Sequence, residues 1–254
     1  MFTNVFFLIP LIARKHSQDW RLVESNLDKV LTSIAQQTDS RWEAIIVHQG
    51  VPNVRVQDPR IRLVEASFPV VDSLNKGALD KYRKRKLAAS LLKKEGKSGF
   101  FFGLDADDLV HKDFVKSILQ DEEQADAYVV QSGIKVDFAD EKYVFLSDGF
   151  FRTCGSCFTI GLQNHELPDD HLDKHSVYSK CVTGKHALHH EHAAQQGKRF
   201  KFIDFPAVAY SINHAASLYS LKRDGKIRSL TADDESNTRC MQYFKTFFCS
   251  EPAN

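Results

Sequence analysis

Short, mostly apolar runs recur along the first half of this chain, and most are followed by a stretch with helical spacing. Such runs lie between Asn4 and Ala13, Glu43 and His48, Ile61 and Glu65, and Gly99 and Leu104. Runs this short, and this rich in branched and aromatic residues, read as strands buried on both faces. Leu27, Val30, Leu31 and Ile34 fall at i, i+3, i+4, i+7, and Leu87, Ala88, Leu91 and Leu92 share one side of a helix expected over 79–95. Strands alternating with helices require right-handed crossovers and give an α/β fold with a mostly parallel sheet flanked by helices. Ligands of such sheets bind outside the carboxyl ends of the strands.

The second half has a different rhythm. Short strands are expected in AYVVQ, IKVDF and KYVFL, the last two joined across Ala139-Asp140-Glu141. A polar, His-rich loop is expected over 163–184, and then a helix over 185–196 that Gly197 stops. KFIDF and AVAYSI read as strands on either side of Pro206, and residues 237–248 as an amphipathic helix. No repeat or low-complexity linker divides the chain. The expected organisation is one domain over 1–215, with a nucleotide-binding half at 1–110 and an acceptor half at 111–215, followed by a helical tail at 216–254.

Composition excludes several classes. Of the 254 residues, 43% are hydrophobic and 26% charged, and 34 Lys+Arg against 33 Asp+Glu leave a formal charge of +1. A chain with that much apolar material and so little net charge is not disordered. Its balance gives no support to nucleic-acid binding, which leans on a basic surface. Five cysteines, an odd number, do not read as a secreted disulfide framework. The longest N-terminal apolar run is broken by Pro10 and is far short of the roughly 20 residues of a membrane span. The expected location is cytoplasmic, with a peripheral contact to the inner face of a membrane left open.

Asp105-Ala106-Asp107-Asp108 is the sharpest chemical feature, because it follows directly on the aromatic strand GFFFGL. Carboxylates at i and i+2 past a buried strand can face one cleft. Hard divalent cations take such oxygen ligands, and Mg²⁺ is typically held by one or two carboxylates with substrate phosphates. The plain alternative is a solvated acidic loop in which Asp108 caps a helix starting near His111.

Together with FFLIPLIAR, SIAQQTDSRWEAIIVHQG, IRLVEA, GFFFGLDADDLVHKDFV and FPAVAYSINHAAS, in that order, this motif resembles the GT-A glycosyltransferases, especially family 2, over about residues 4–220. That resemblance implies a Rossmann-like nucleotide-diphospho-sugar transferase fold. It also implies transfer from a nucleotide-sugar donor to a saccharide or lipid-linked glycan acceptor, usually with inversion, in polysaccharide biosynthesis. Asp105 is then expected near the ribose and metal, Asp107 as the main ligand of Mn²⁺ or Mg²⁺, and His214 of YSINHAAS as a third metal-site residue. Pro10, Ala13 and Arg14 are expected on the nucleotide floor. Gln49 stands where the family usually has an acidic base-reading residue, and it can both donate and accept. The basic stretch from Lys81 to Lys86 matches the family's segment ahead of the acidic motif, with Arg83 and Lys86 the first candidates for the diphosphate. The family's usual Glu-Asp pair is replaced by Lys185 and His186. The base that accepts the acceptor proton is therefore His186, or Asp170 or Asp169 from the loop.

Two clusters allow other readings. Seven of the 11 histidines lie between His165 and His192, and on a continuous helix His186, His189 and His190 would share one face suited to zinc or to acceptor binding. Cys154-Gly155-Ser156-Cys157 has CxxC spacing without a second pair, so small residues lining the acceptor side of the cleft is the plainer account. A nucleotidyltransferase normally has a Gly-rich loop after its first strand, and no glycine precedes Gly50. A catalytically degenerate sugar-nucleotide-binding domain is the remaining alternative.

Overall fold

In the computed structural model, which describes residues 2–213 and 230–249, β1 (Val5–Pro10) lies between β2 (Trp42–His48) and β4 (Gly99–Gly103), parallel to both. β3 (Ile61–Glu65) extends the parallel run beyond β2 at the sheet edge. α1 (Trp20–Ala35) makes the first crossover, and α2 (Gly77–Lys94) the next, from β3 to β4. Asp19 starts α1 by accepting the Leu22 N–H at 3.0 Å. The expected apolar face is the buried one: Leu27, Val30, Leu31 and Ile34 are all without solvent contact. Rings on β1 and β4 lock the two strands, with Phe6 stacked on Phe101 at 5.1 Å and Phe7 edge-on to Phe102 at 6.0 Å. Each such ring contributes about 1.5–3 kcal/mol when buried. The carboxyl end of β4, where the acidic turn starts, is thus fixed by the core.

The other side of the sheet departs from the expectation at one strand. Residues 158–162, whose sequence pattern predicts no element, form β9 (Phe158–Leu162), antiparallel between β4 and β6 (Ala127–Val130). β10 (Phe200–Ile203) then pairs parallel to β6. The full order is β10-β6-β9-β4-β1-β2-β3, seven strands with only β9 reversed. Gly161 belongs to this packing: a Cβ there would meet the Phe2 ring at 2.6 Å and the Phe100 ring at 2.8 Å.

A second sheet, β5-β11-β7-β8, is built from β5 (Leu109–Val110), β11 (Val208–Ser211), β7 (Gly133–Asp137) and β8 (Lys142–Leu146). The helix expected to start near His111 is present as α3 (Phe114–Leu119), but β5 takes up the residues directly after the acidic motif, so the helix starts three residues later and Asp108 does not cap it. The tail helix α6 (Asp234–Phe247) starts earlier than expected and closes the second sheet. Cys240, Phe244 and Phe248 pack with Leu109, Ile134, Val136, Tyr143 and Ala209. Within the segment expected to be loop, Val177–Cys181 forms α4, with the Ser176 side chain accepting the Ser179 N–H. The helix expected over 185–196 is a 3-10 turn at His186–Leu188 followed by α5 (His189–Gln195). Among the described residues no helix is long and apolar enough to cross a membrane.

Candidate active site

The acidic turn hangs from the carboxyl end of β4 and is held from two sides. From α2, residues four apart face it together. Lys81 Nζ lies 2.6 Å from Asp105 Oδ2, and Arg85 Nη2 lies 2.9 Å from Asp105 Oδ1. Arg85 also donates to the Gly103 carbonyl at 2.8 Å. Its approach requires glycine there, because a Cβ on Gly103 would sit 2.7 Å from the guanidinium carbon. Burial works to raise the Asp105 pKa, but the Lys81 ammonium and the Arg85 guanidinium outweigh it and hold the group below the usual carboxylate range.

From the other side comes the Cys154–Cys157 loop. Ser156 Oγ accepts the Asp105 N–H at 2.8 Å and donates to Asp108 Oδ2 at 2.6 Å. Cys154 Sγ adds a 3.2 Å contact to Asp108 Oδ2, and the Ser211 N–H donates to Asp108 Oδ1 at 3.3 Å. Asp108 is fully buried, and burial together with the neighbouring Asp107 and Asp105 pushes its pKa well up. It is the internal anchor of the turn. The loop itself is buried and tight: a Cβ on Gly155 would meet Lys81 Nζ at 2.9 Å and Asp105 Oδ2 at 3.1 Å. Burial pushes the Cys157 thiol up to about 12, so these cysteines are inert packing groups rather than reactive thiols.

His186 stands beside this ion-paired centre. Burial, then the Lys81 ammonium, lower its pKa, while a hydrogen bond to the Arg152 backbone and the Asp105 charge act the other way. Its Nε2 is buried with no hydrogen-bond partner. The break between the 3-10 turn and α5 removes the expected single face of His186, His189 and His190. His189 is buried, and burial with the Arg85 charge lowers it to about 3. His190 packs on Phe200 at 5.0 Å. Among the described residues no three His, Cys, Asp or Glu side chains are placed to hold a metal ion.

The remaining expected residues fall into a second group near the ends of β1 and β2. Pro10 is the last residue of β1, Ala13 is buried, and the Arg14 N–H donates to the Gln49 carbonyl at 2.9 Å. Gln49 Nε2 donates to the Phe68 carbonyl at 2.7 Å, and its Oε1 is buried without a hydrogen-bond partner. Phe68 stacks on His171 of the polar loop at 4.5 Å. Lys86 Nζ is bound to the Asp173 carbonyl at 2.7 Å. The charges of Asp170, Arg83 and Lys86 all act on His171. Asp170 Oδ1 accepts the N–H groups of Leu172 and Asp173 at 2.6 and 3.0 Å, an Asx turn within its own loop. The α2 residues that meet the acidic turn are thus Lys81 and Arg85, whereas Arg83 and Lys86 face the polar loop. Their i, i+4 spacing was the available signal. His214 lies outside the described residues.

No protein-family model matches this chain, and no curated protein matches it. Among solved structures it is similar to residues 1–349 of S. aureus TarS in complex with UDP, with 10% identity over 96% of this chain and 72% of that one and a TM-score of 0.47. It is also similar to a longer S. aureus TarS structure, with 11% identity over 93% of this chain and 41% of that one and a TM-score of 0.44.

Proposed function

We propose that the protein is a GT-A-type glycosyltransferase that moves a sugar from a nucleotide-diphosphate sugar to an acceptor hydroxyl, with inversion, in the synthesis of a glycan. The observation that carries this reading is Asp105 at the carboxyl end of β4, held between Lys81 and Arg85 of one helix face. Cations gathered at the ligand edge of a mostly parallel sheet suit a diphosphate. Pro10, Ala13, Arg14 and Gln49 are gathered at the ends of the neighbouring strands, where the nucleoside of the donor would lie.

In the transfer, the acceptor oxygen bonds to the anomeric carbon as the bond from that carbon to the diphosphate breaks. The electron pair leaves on the diphosphate, within reach of Lys81 and Arg85. The hydroxyl proton passes to His186 Nε2, which is unpartnered and belongs to an imidazole kept neutral by burial. Asp170 is a poorer base because the N–H groups of its own turn hold its Oδ1 and so stabilise the carboxylate form.

A divalent cation, Mn²⁺ or Mg²⁺, fits this turn through a single protein carboxylate. Both oxygens of Asp105 are ion-paired, and both oxygens of Asp108 accept hydrogen bonds. Asp107, the second acid of the i, i+2 pair, would hold it, and one carboxylate suffices when phosphate oxygens complete the set. When bound, the ion would neutralise charge on the departing diphosphate.

The test is a thermal-shift screen with UDP-, GDP-, dTDP- and CMP-sugars, with and without Mn²⁺. Ligands that bind only the native state raise its melting temperature. A shift with one nucleotide class, lost in Asp107→Ala only where Mn²⁺ contributed, is the expected result. No shift with any of them contradicts the reading.

A further inference from the structure

Lys84 of α2 has no solvent contact, and its Nζ donates to Asp80 Oδ2 and to the Leu11 carbonyl, both at 2.7 Å. Taking an ammonium and a carboxylate out of water is costly, and apolar side chains of similar volume often serve the fold as well or better. The compensation here is also incomplete. Asp80 Oδ1 and, at the end of the neighbouring β2, His48 Nδ1 are buried without a hydrogen-bond partner. Stability is thus a weak account of the pair, and its place in the fold is a better one.

Leu11 directly follows β1 and leads into Ala13 and Arg14. The Leu11 N–H is held by the Val47 carbonyl and the Arg14 N–H by the Gln49 carbonyl, each at 2.9 Å. The Leu11 carbonyl therefore belongs to the strand ends where the nucleoside would lie. On the helix, Lys84 stands three residues after Lys81 and one before Arg85, the two cations on Asp105. Successive helical residues turn by about 100°, so fixing Lys84 on Leu11 fixes the direction in which Lys81 and Arg85 point. One buried side chain joins the nucleoside end of the site to its cationic end.

We propose that Lys84 is a positioning residue: it sets the spacing between the nucleoside floor and the diphosphate cations, so that a nucleoside diphosphate engages both at once. The proposal rests on the transferase reading. Lys84 touches no ligand, because its ammonium is enclosed and bound to protein oxygens. A ligand that spans two rigidly spaced subsites makes its second contact intramolecularly. Loosening the spacing loses that gain while leaving each subsite in place, and a nucleoside that meets only the floor should not sense the change.

The test titrates uridine and UDP, thymidine and dTDP, and guanosine and GDP into the full chain, with weak nucleoside binding read by NMR titration. Wild type should bind one diphosphate more tightly than its nucleoside. In Asp80→Leu/Lys84→Met the melting temperature should stay near that of wild type, the nucleoside should bind as before, and the diphosphate should bind roughly tenfold more weakly, the value of one misaligned charged hydrogen bond. Asp80→Asn/Lys84→Met, which keeps the shape of residue 80, is the second variant. Undiminished diphosphate affinity in a folded double variant overturns the proposal. So does an equal loss of nucleoside and diphosphate, or unfolding of both variants, since either makes the pair a support of the fold. A wild type that binds diphosphate no more tightly than nucleoside leaves the spacer nothing to hold and overturns it as well. Wild type that binds none of the diphosphates defeats the transferase reading itself, whereas wild-type binding that the double variant retains in full defeats the spacer alone.

Discussion

Ser156 Oγ donates to the buried Asp108 carboxylate at 2.6 Å and so ties the loop before β9 to the acidic turn after β4. The same oxygen accepts the Asp105 N–H, so one hydroxyl sets the geometry of two acids. Ser156→Ala leaves a buried acid short of a donor and a backbone N–H without its acceptor. Each such loss costs about 1–3 kcal/mol. Urea unfolding should show a loss in that range or above it, and an unchanged midpoint would mean that Ser156 is not the support described.

Gly155→Ala should separate stability from ligand binding. The added methyl group presses on Lys81 Nζ and Asp105 Oδ2. The lysine end is flexible and can move aside, so stability should change by less than about 1 kcal/mol. Moving it displaces the cation expected to meet the diphosphate. Nucleotide-sugar affinity should fall several-fold at nearly constant melting temperature, and equal affinity would show that the ion pair lies outside the donor site.

The base assignment predicts the form of the pH profile. Burial lowers the His186 pKa below its ordinary value of 6.5. A base works only when neutral, so transfer should persist to lower pH than an unperturbed imidazole allows. The acidic limb of kcat should have its midpoint below 6.5. His186→Ala should lower kcat by about 10²–10⁴-fold and abolish that limb. A limb that survives the substitution assigns the proton to another group.

Histidine burial also links stability to acid. His111 is buried against Phe247, with ring centres 4.7 Å apart, and burial lowers its pKa to about 4. Below 6.5 the unfolded chain binds a proton that the folded chain refuses until about pH 4. Stability therefore falls as pH drops through that window. Between pH 6.5 and 5 this one residue accounts for about 2 kcal/mol. His111→Phe should remove that part of the slope in urea unfolding measured at the two pH values, and an identical slope in the variant would contradict the assignment.

The parallel half of the fold was legible because β1, β2 and β4 are unbroken apolar runs and α1 has a clean helical period. β9 was not. Its five residues, Phe158 to Leu162, contain Thr159 and Gly161, so they lack the unbroken apolar run that marks a buried strand. The site was legible as far as the acidic motif, since a buried aromatic strand fixes where the turn must lie. The partners of that turn were not. Choosing among five cations between Lys81 and Lys86 requires the rotation of α2, which is set by Lys84 burying its ammonium on Asp80 and the Leu11 carbonyl. The Ser156 support depends on a contact 48 residues away in sequence, which no local pattern reveals.

Isothermal titration of the responsive nucleotide sugar into wild type, Lys81→Ala and Arg85→Ala tests most directly whether the acid-flanked cations receive a diphosphate. Charged hydrogen bonds of this kind are worth about 1.5–3 kcal/mol, so each substitution should weaken binding by about 10- to 100-fold. Undiminished affinity in both variants would place the donor elsewhere and contradict the account.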